Sequence, residues 1–307
     1  MKSLEYKNDN LFFDDIAIEE IAKNIKTPFY IYSEDSIKQN IKGYLSQASQ
    51  KTLFCYSVKA NSNLSLLKLI ASQGMGFDVV SKGELHRAIK AGANTKKIVY
   101  SGVGKTKEEI AYALNNKILC FNVESEEELV AINSQASLMK LKADISIRIN
   151  PDVKVKTHPY IATGMRENKF GIAFEDAFEI YKKAKTLDSI NIVGIDFHIG
   201  SQIMSIEPYL DSISSVKKLI QKLDSIDIKL SHIDVGGGLG ISYKGEKLVD
   251  KSEYVKTIIN SLSDLDLNII FEPGRSIVGD CGILVSQVQY VKELSLIHIS
   301  EPTRPLY

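Results

Sequence analysis

The sequence predicts an α/β protein built on a (β/α)8 TIM barrel, with part of a second, antiparallel β-domain formed by the chain ends. Three observations predict it. Eight short β-branched runs occur in order, stretches of helical period separate them, and chemically capable side chains stand just after the runs.

The runs cover residues 52–58, 77–80, 98–101, 118–123, 144–149, 192–197, 230–235 and 267–271. Most are continuously apolar rather than alternating, as strands covered on both faces are. Between them, Leu64, Leu67, Ile70 and Ala71, or Leu210, Ile213, Val216 and Ile220, recur at spacings of three and four, which is the apolar stripe of a crossover helix. Hydroxyls followed three residues later by Glu mark three helix starts as capping boxes: Ser81 with Glu84, Thr106 with Glu109, and Ser125 with Glu128. The acidic run 124–128 therefore reads as a helix N-terminus favoured by the dipole rather than as a metal or partner site. Eight alternations over about 220 residues are the count at which right-handed crossovers close a parallel sheet. The rival is an open doubly wound sheet with its dinucleotide turn at Gly236. That turn follows the seventh run, whereas such a fingerprint usually follows the first.

The barrel is expected over residues 28–278. Residues 1–27, with a strand-like stretch at 11–18, and residues 279–307, which alternate apolar and polar over 281–290, fall to the second domain.

Composition narrows the function. The 307 residues carry 38 Lys plus Arg against 38 Asp plus Glu, and a net charge of zero gives no field for nucleic acid or anionic lipid. Cys55, Cys120 and Cys281 are too few and too far apart for a disulfide framework or a thiolate metal site. The first ten residues are charged and polar with no apolar stretch of the signal-sequence kind, so secretion is not expected, and no apolar run reaches the roughly 18 residues of a membrane span. The cytoplasm is the expected compartment, and no metal is expected.

The strand ends carry the chemistry. Lys59 closes the first strand, where partial desolvation lowers a lysine pKa and lets the amine attack a carbonyl; a lone lysine there reads first as a surface residue. Asp78 lies in the second run and Arg148 ends the fifth. His198, with Ser201 beside it, ends the sixth and suits either ring stacking or proton transfer, or a satisfied place inside the barrel. Gly236, Gly237 and Gly238 follow the seventh strand, leaving amides bare for an anion or making a tight turn. Glu272 ends the eighth strand, where a buried carboxylate needs a cation: Arg275, Arg148 or a protonated ring nitrogen. Arg275, after Gly274, can fork onto phosphate or carboxylate. An imine-forming lysine, phosphate-binding glycines, a ring-stacking histidine and an acid for a ring nitrogen describe pyridoxal 5'-phosphate.

At these residues the sequence resembles the fold-type III pyridoxal-phosphate-dependent decarboxylases. The resemblance runs from about Thr27 to about Val288, through Tyr56 to Asn61, Gly76 to Leu85, Arg148 to Pro151, His198 to Gln202, Gly236 to Gly240, and Glu272 to Arg275. The stretch from Asn150 to Gly171, with Thr157, His158, Pro159 and Tyr160, is similar to the diaminopimelate branch. The resemblance implies that Lys59 holds the cofactor covalently, that Asp78 lies near it, and that His198 stacks on its ring. Ser201, Gly237, Gly238, Gly274 and Arg275 would hold the phosphate, Arg275 would also reach a substrate carboxylate, and Glu272 would keep the ring nitrogen protonated. The implied reaction is decarboxylation of meso-2,6-diaminopimelate to L-lysine, the last step of lysine biosynthesis, by a homodimer. Lys59, His198 and Glu272 are the catalytic candidates.

The chain also departs from that family. Its members run on past position 307 to a Cys-Glu-Ser-Gly-Asp segment whose cysteine reaches the partner's site, and Cys281, nine residues after Glu272, reads instead as a small core residue. The tail from about position 294 is atypical, so the chain is expected to be truncated, to bind cofactor weakly and to turn over poorly. Two alternatives stand beside this reading: an ornithine, arginine or carboxynorspermidine decarboxylase of the same fold type, and a non-catalytic pyridoxal-phosphate carrier.

Overall fold

The computed structural model describes residues 4–151 and 170–292. Two compact units divide the chain, residues 34–281 and the paired ends, 1–33 with 282–307.

All eight predicted runs are strands of the larger unit. They are Thr52–Ser57, Gly76–Val79, Ile98–Tyr100, Cys120–Val123, Ala143–Asn150, Ile190–Phe197, His232–Asp234 and Asn268–Phe271. Neighbours in sequence pair in parallel around the sheet, and the eighth pairs with the first, Ile269 opposite Thr52 and Phe271 opposite Phe54, so the barrel closes. A two-residue strand, Ile172–Ala173, adds to the end of the fifth.

The two faces of each strand do different work. On the fifth, Ile145, Ile147 and Ile149 join the large apolar core shared with the surrounding helices. Ser146 and Arg148 alternate with them and therefore face the barrel interior. Inside, Cys55, Val99, Cys120 and Ile270 form a separate apolar plug. Two residues further along the first, fourth and eighth strands the lining turns polar, with Ser57, Asn122 and Glu272 all buried. Asp196 lies opposite Arg148 on one side and Asp234 on the other, which puts the three in one layer.

The helices begin where the sequence marks them. Helices Leu64–Ser72 and Glu207–Asp224 carry the two apolar stripes. Of the three expected capping boxes, only Thr106 with Glu109 is reciprocal. At the other two, the hydroxyl caps as expected but the glutamate reaches one residue further back. Glu84 accepts from the Val80 amide at 2.8 Å, and Glu128 from the Glu124 amide at 3.0 Å. Both amides stand just past strand ends, with no backbone acceptor among the described residues, so the carboxylate satisfies the donor that is left over.

In the smaller unit, Leu4–Lys7, Asn10–Phe13 and Ile16–Ala17 form an antiparallel sheet followed by helix Ile18–Asn24. Phe29–Tyr32 pairs antiparallel with Gly282–Val285. No helix among the described residues is long and apolar enough to cross a membrane.

Thr106→Ala removes the hydroxyl half of this capping box, the oxygen that accepts the Glu109 amide, and leaves the backbone amide at position 106 donating to Glu109. Denaturant unfolding of the variant is expected to show a loss of about 1 kcal/mol, and an unchanged midpoint would contradict the cap's role.

Candidate active site

The first strand does not run through Lys59. It stops at Ser57 and passes into a single 3-10 turn, Val58–Ala60, which carries the lysine over the rim. Lys59 Nζ lies 2.7 Å from Asp78 Oδ2, with half of the lysine side chain exposed and the aspartate fully buried. Ser57 Oγ donates to the same oxygen at 2.9 Å.

This pairing corrects the expectation of a lowered lysine pKa. Desolvation is the largest influence and pulls it down, but Asp78 and then Glu272 outweigh it, and Lys59 ends above its ordinary value. Asp78 is driven up by burial and brought down further by the ammonium, so its carboxyl lies below its usual range. In the protein alone, Lys59 is an ammonium held by a carboxylate.

The sixth and seventh strands supply a second wall. His198 Nδ1 accepts a hydrogen bond from the Gly237 amide at 3.3 Å, which places the ring proton on Nε2. Burial, then Arg148 and Lys59, push its pKa down to about 3, so the imidazole is neutral. The glycines behind it are needed as glycines. Gly238 has φ of +107°, and a Cβ there would lie 2.2 Å from the Gly200 carbonyl oxygen, while one on Gly237 would lie 2.1 Å from the Glu272 carbonyl oxygen.

The eighth strand ends in Glu272, which is 6% exposed. Burial and then the nearby Asp234, Asp78 and Asp196 drive its pKa well above the ordinary range. The expected salt bridge to Arg148 or Arg275 is absent among the described residues. Arg148 Nη1 goes instead to Glu124 Oε1 at 3.0 Å, with its Nε 3.9 Å from Asp196. Arg275 heads the short helix Arg275–Val278, with Nη1 3.3 Å from both Gln202 Oε1 and the Tyr243 hydroxyl. Gln202 is held in turn by the Ile241 amide at 3.2 Å and by its own bond to the Ile241 carbonyl.

These groups surround one cavity of about 410 Å³. Ser57, Lys59, His198, Ser201, Gly238, Leu239, Glu272, Gly274 and Arg275 are among its lining residues. Asp78 adjoins it through Lys59, and Gly237 through its amide on His198. The chemistry on offer is an amine opposite a neutral imidazole, an acid at the floor and a guanidinium at the rim.

The sequence reading passed over Glu124, treating it as one charge of a helix N-terminus. It is buried, and besides Arg148 it accepts from the Gly102 amide at 2.9 Å and the Gly171 amide at 3.2 Å, bracing the loops after the third and fifth strands. It also passed over Asp196, Asp234 and Asn122, although polar residues at inward positions of otherwise apolar strands are the signal that finds them. Of the other histidines, His232 is buried and pushed down to about 4 by desolvation, and His86 meets the Tyr112 hydroxyl. His158, His298 and most of the 150–171 segment lie outside the described residues.

Residues 34–279 match the pyridoxal binding domain of the pyridoxal-dependent decarboxylases. The chain is 43% identical to a diaminopimelate decarboxylase from Pseudomonas aeruginosa over 293 residues, 95% of this chain and 71% of that protein. It is 45% identical to the diaminopimelate decarboxylase of Aquifex aeolicus over 299 residues, 96% of this chain and 70% of that one. Among solved structures, the diaminopimelate decarboxylase from Helicobacter pylori complexed with L-lysine superposes with a TM-score of 0.87 at 47% identity, covering 90% of this chain and 70% of that one.

Because the folded value of His198 lies below the unfolded value of about 6.5, neutral His198 stabilises the fold fully above that value. The contribution fades as pH falls below it toward 3. Proton NMR should show the His198 imidazole unchanged between pH 8 and pH 5. A midpoint near 6.5 would contradict its burial.

Proposed function

The chain belongs to the pyridoxal-dependent decarboxylases, and on that premise we propose that it removes one carboxyl group from meso-2,6-diaminopimelate as carbon dioxide, giving L-lysine. The observation that carries this reading is the convergence of Lys59, His198, Glu272 and Arg275 on one cavity.

The residues present fit pyridoxal 5'-phosphate. Lys59 supplies the amine. The bare backbone at Gly238, where a Cβ would strike the Gly200 carbonyl oxygen, can approach a phosphate closely, beside Gly237, whose amide is held by His198, and Ser201, Gly274 and Arg275 line the same cavity. Glu272, buried among other acids with no cation bridged to it among the described residues, is suited to a protonated ring nitrogen. When bound, the cofactor supplies an electron sink for the pair left behind as carbon dioxide departs.

The roles we assign follow from the geometry. Asp78 holds Lys59 in place and takes up the charge of its ammonium until the amine is engaged. His198, neutral and fixed by the Gly237 amide, presents a flat uncharged face that would pack on a ring without competing for its protons. Arg275, steadied by Gln202, directs a guanidinium at phosphate or substrate carboxylate. Glu272 would place negative charge beside a protonated ring nitrogen and so hold the proton there.

The reading includes a homodimer working in the cytoplasm. Exposed Tyr30 and Leu284 on the smaller unit support a partner surface, and three buried cysteines, none in a disulfide, support a reducing compartment. Sedimentation at two chains per particle is expected, and a strict monomer would contradict the dimer.

Two measurements test the function. An imine absorbance with pyridoxal phosphate is expected in the protein and absent in Lys59→Ala; the same band in both would remove Lys59 from its role. Carbon dioxide release should rank meso-diaminopimelate above ornithine and arginine, and a higher rate with ornithine would sink the substrate assignment.

A further inference from the structure

Behind Glu272 the barrel holds more buried acid than the cavity reading uses. One carboxylate oxygen from each of Asp196, Asp234 and Glu272 lies within 4.8 Å of the others, and all three side chains are buried. The layer is short of donors. Asp234 Oδ1 accepts the Gly236 amide at 2.9 Å, but Asp234 Oδ2 and Asp196 Oδ1 have no hydrogen-bond partner among the described residues. Asn122 Nδ2 reaches Glu272 Oε1 only at 3.4 Å, and shares itself with Ser101 at 3.2 Å.

Cations are equally scarce among the described residues. Around the cluster, the second strand contributes Asp78, already matched to Lys59, and the fourth contributes Glu124. The fifth contributes Arg148, which serves Glu124 at 3.0 Å before Asp196 at 3.9 Å. The sixth and seventh contribute His198 and His232, both neutral. Two buried carboxylates this close, with no donor between them, are stable only if a proton lies between them or a cation arrives. Burial drives Asp234 up to about 7, which agrees with a held proton.

We propose that Asp234, backed by Asp196, is a positioning residue for Glu272: the two carboxyls share one proton in the protein alone and give it to the cofactor's ring nitrogen. The proton leaves a carboxyl oxygen and joins the nitrogen lone pair, so the acid pair gains one negative charge and the ring one positive charge. Asp234 then stands behind Glu272 as a fixed negative charge that holds the proton on the ring, without touching the ring itself. The inference rests on the assignment of Glu272 to the ring nitrogen.

The test is the ¹⁵N chemical shift of ring-labelled pyridoxal phosphate bound to the whole chain, followed against pH. Glu272→Gln, Asp234→Asn and Asp196→Asn are compared with the unsubstituted protein. Asparagine at 234 keeps the oxygen that accepts the Gly236 amide, so the turn is retained. Should Asp234→Asn fail to fold, Asp196→Asn carries the comparison with the same sign. Removing a negative charge a few ångströms behind the ring is expected to lower the midpoint of nitrogen deprotonation by about one pH unit or more in Asp234→Asn, with a larger fall in Glu272→Gln. A fall in Glu272→Gln with no change in either aspartate variant would overturn the inference and leave the role of Glu272 intact. No change in Glu272→Gln would overturn both.

Discussion

Buried negative charge inside the barrel is the constraint on which the rest of the site depends. Asp78, Glu124, Asp196, Asp234 and Glu272 are all buried at or near the strand ends, and among the described residues Arg148 and Lys59 are the cations that meet them. A charge taken out of water is costly unless paired, and the cost rises when like charges share the space. The pairings therefore divide the interior. Lys59 settles Asp78, Arg148 settles Glu124 with Asp196 as a distant second, and the Asp234 and Glu272 region is left needing a proton or a ligand's positive charge.

That division explains the shape of the site. The first strand ends early because Lys59 must turn back to reach Asp78 on the second. The loops after the third and fifth strands are drawn together by Glu124, whose two oxygens take amides from both. Nearby, Lys105 is almost fully buried and bonds Glu128 at 2.5 Å and the Asn122 carbonyl at 2.9 Å, tying the third loop to the fourth strand. Below this polar layer the plug of Cys55, Val99, Cys120 and Ile270 closes the barrel to water, which keeps the electrostatics strong above it. Under the proposed function, a ligand with an anionic end for Gly238 and Arg275 and a cationic ring for Glu272 would complete the balance.

Much of this was legible in the sequence because strand count and strand ends are local signals. The eight runs emerge from β-branched residues alone, and in a barrel the residue after each run is placed at the mouth without further information. Lys59, His198, Glu272 and Arg275 were found this way. The direction of the Lys59 shift was not, since it depends on Asp78 nineteen residues away lying 2.7 Å from the amine, a distance only the closed sheet determines. Glu124 was misjudged for a related reason: within an acidic run at a helix start the dipole accounts for all the charges, and its burial against Arg148 is a tertiary fact. Asp196 and Asp234 were visible as polar breaks in apolar strands, but their mutual approach follows from register, Asp196 opposite Asp234, which no single strand reveals.

The claim that this interior cannot keep all its carboxylates ionised is open to direct observation. The infrared spectrum of the cofactor-free protein at neutral pH, in heavy water, should contain the carbonyl band of an un-ionised carboxyl group, lost when Asp234→Asn and Glu272→Gln are combined. A spectrum with carboxylate bands alone at neutral pH would contradict the account, because Asp234 and Glu272 would then both be charged with no cation bridged to either among the described residues.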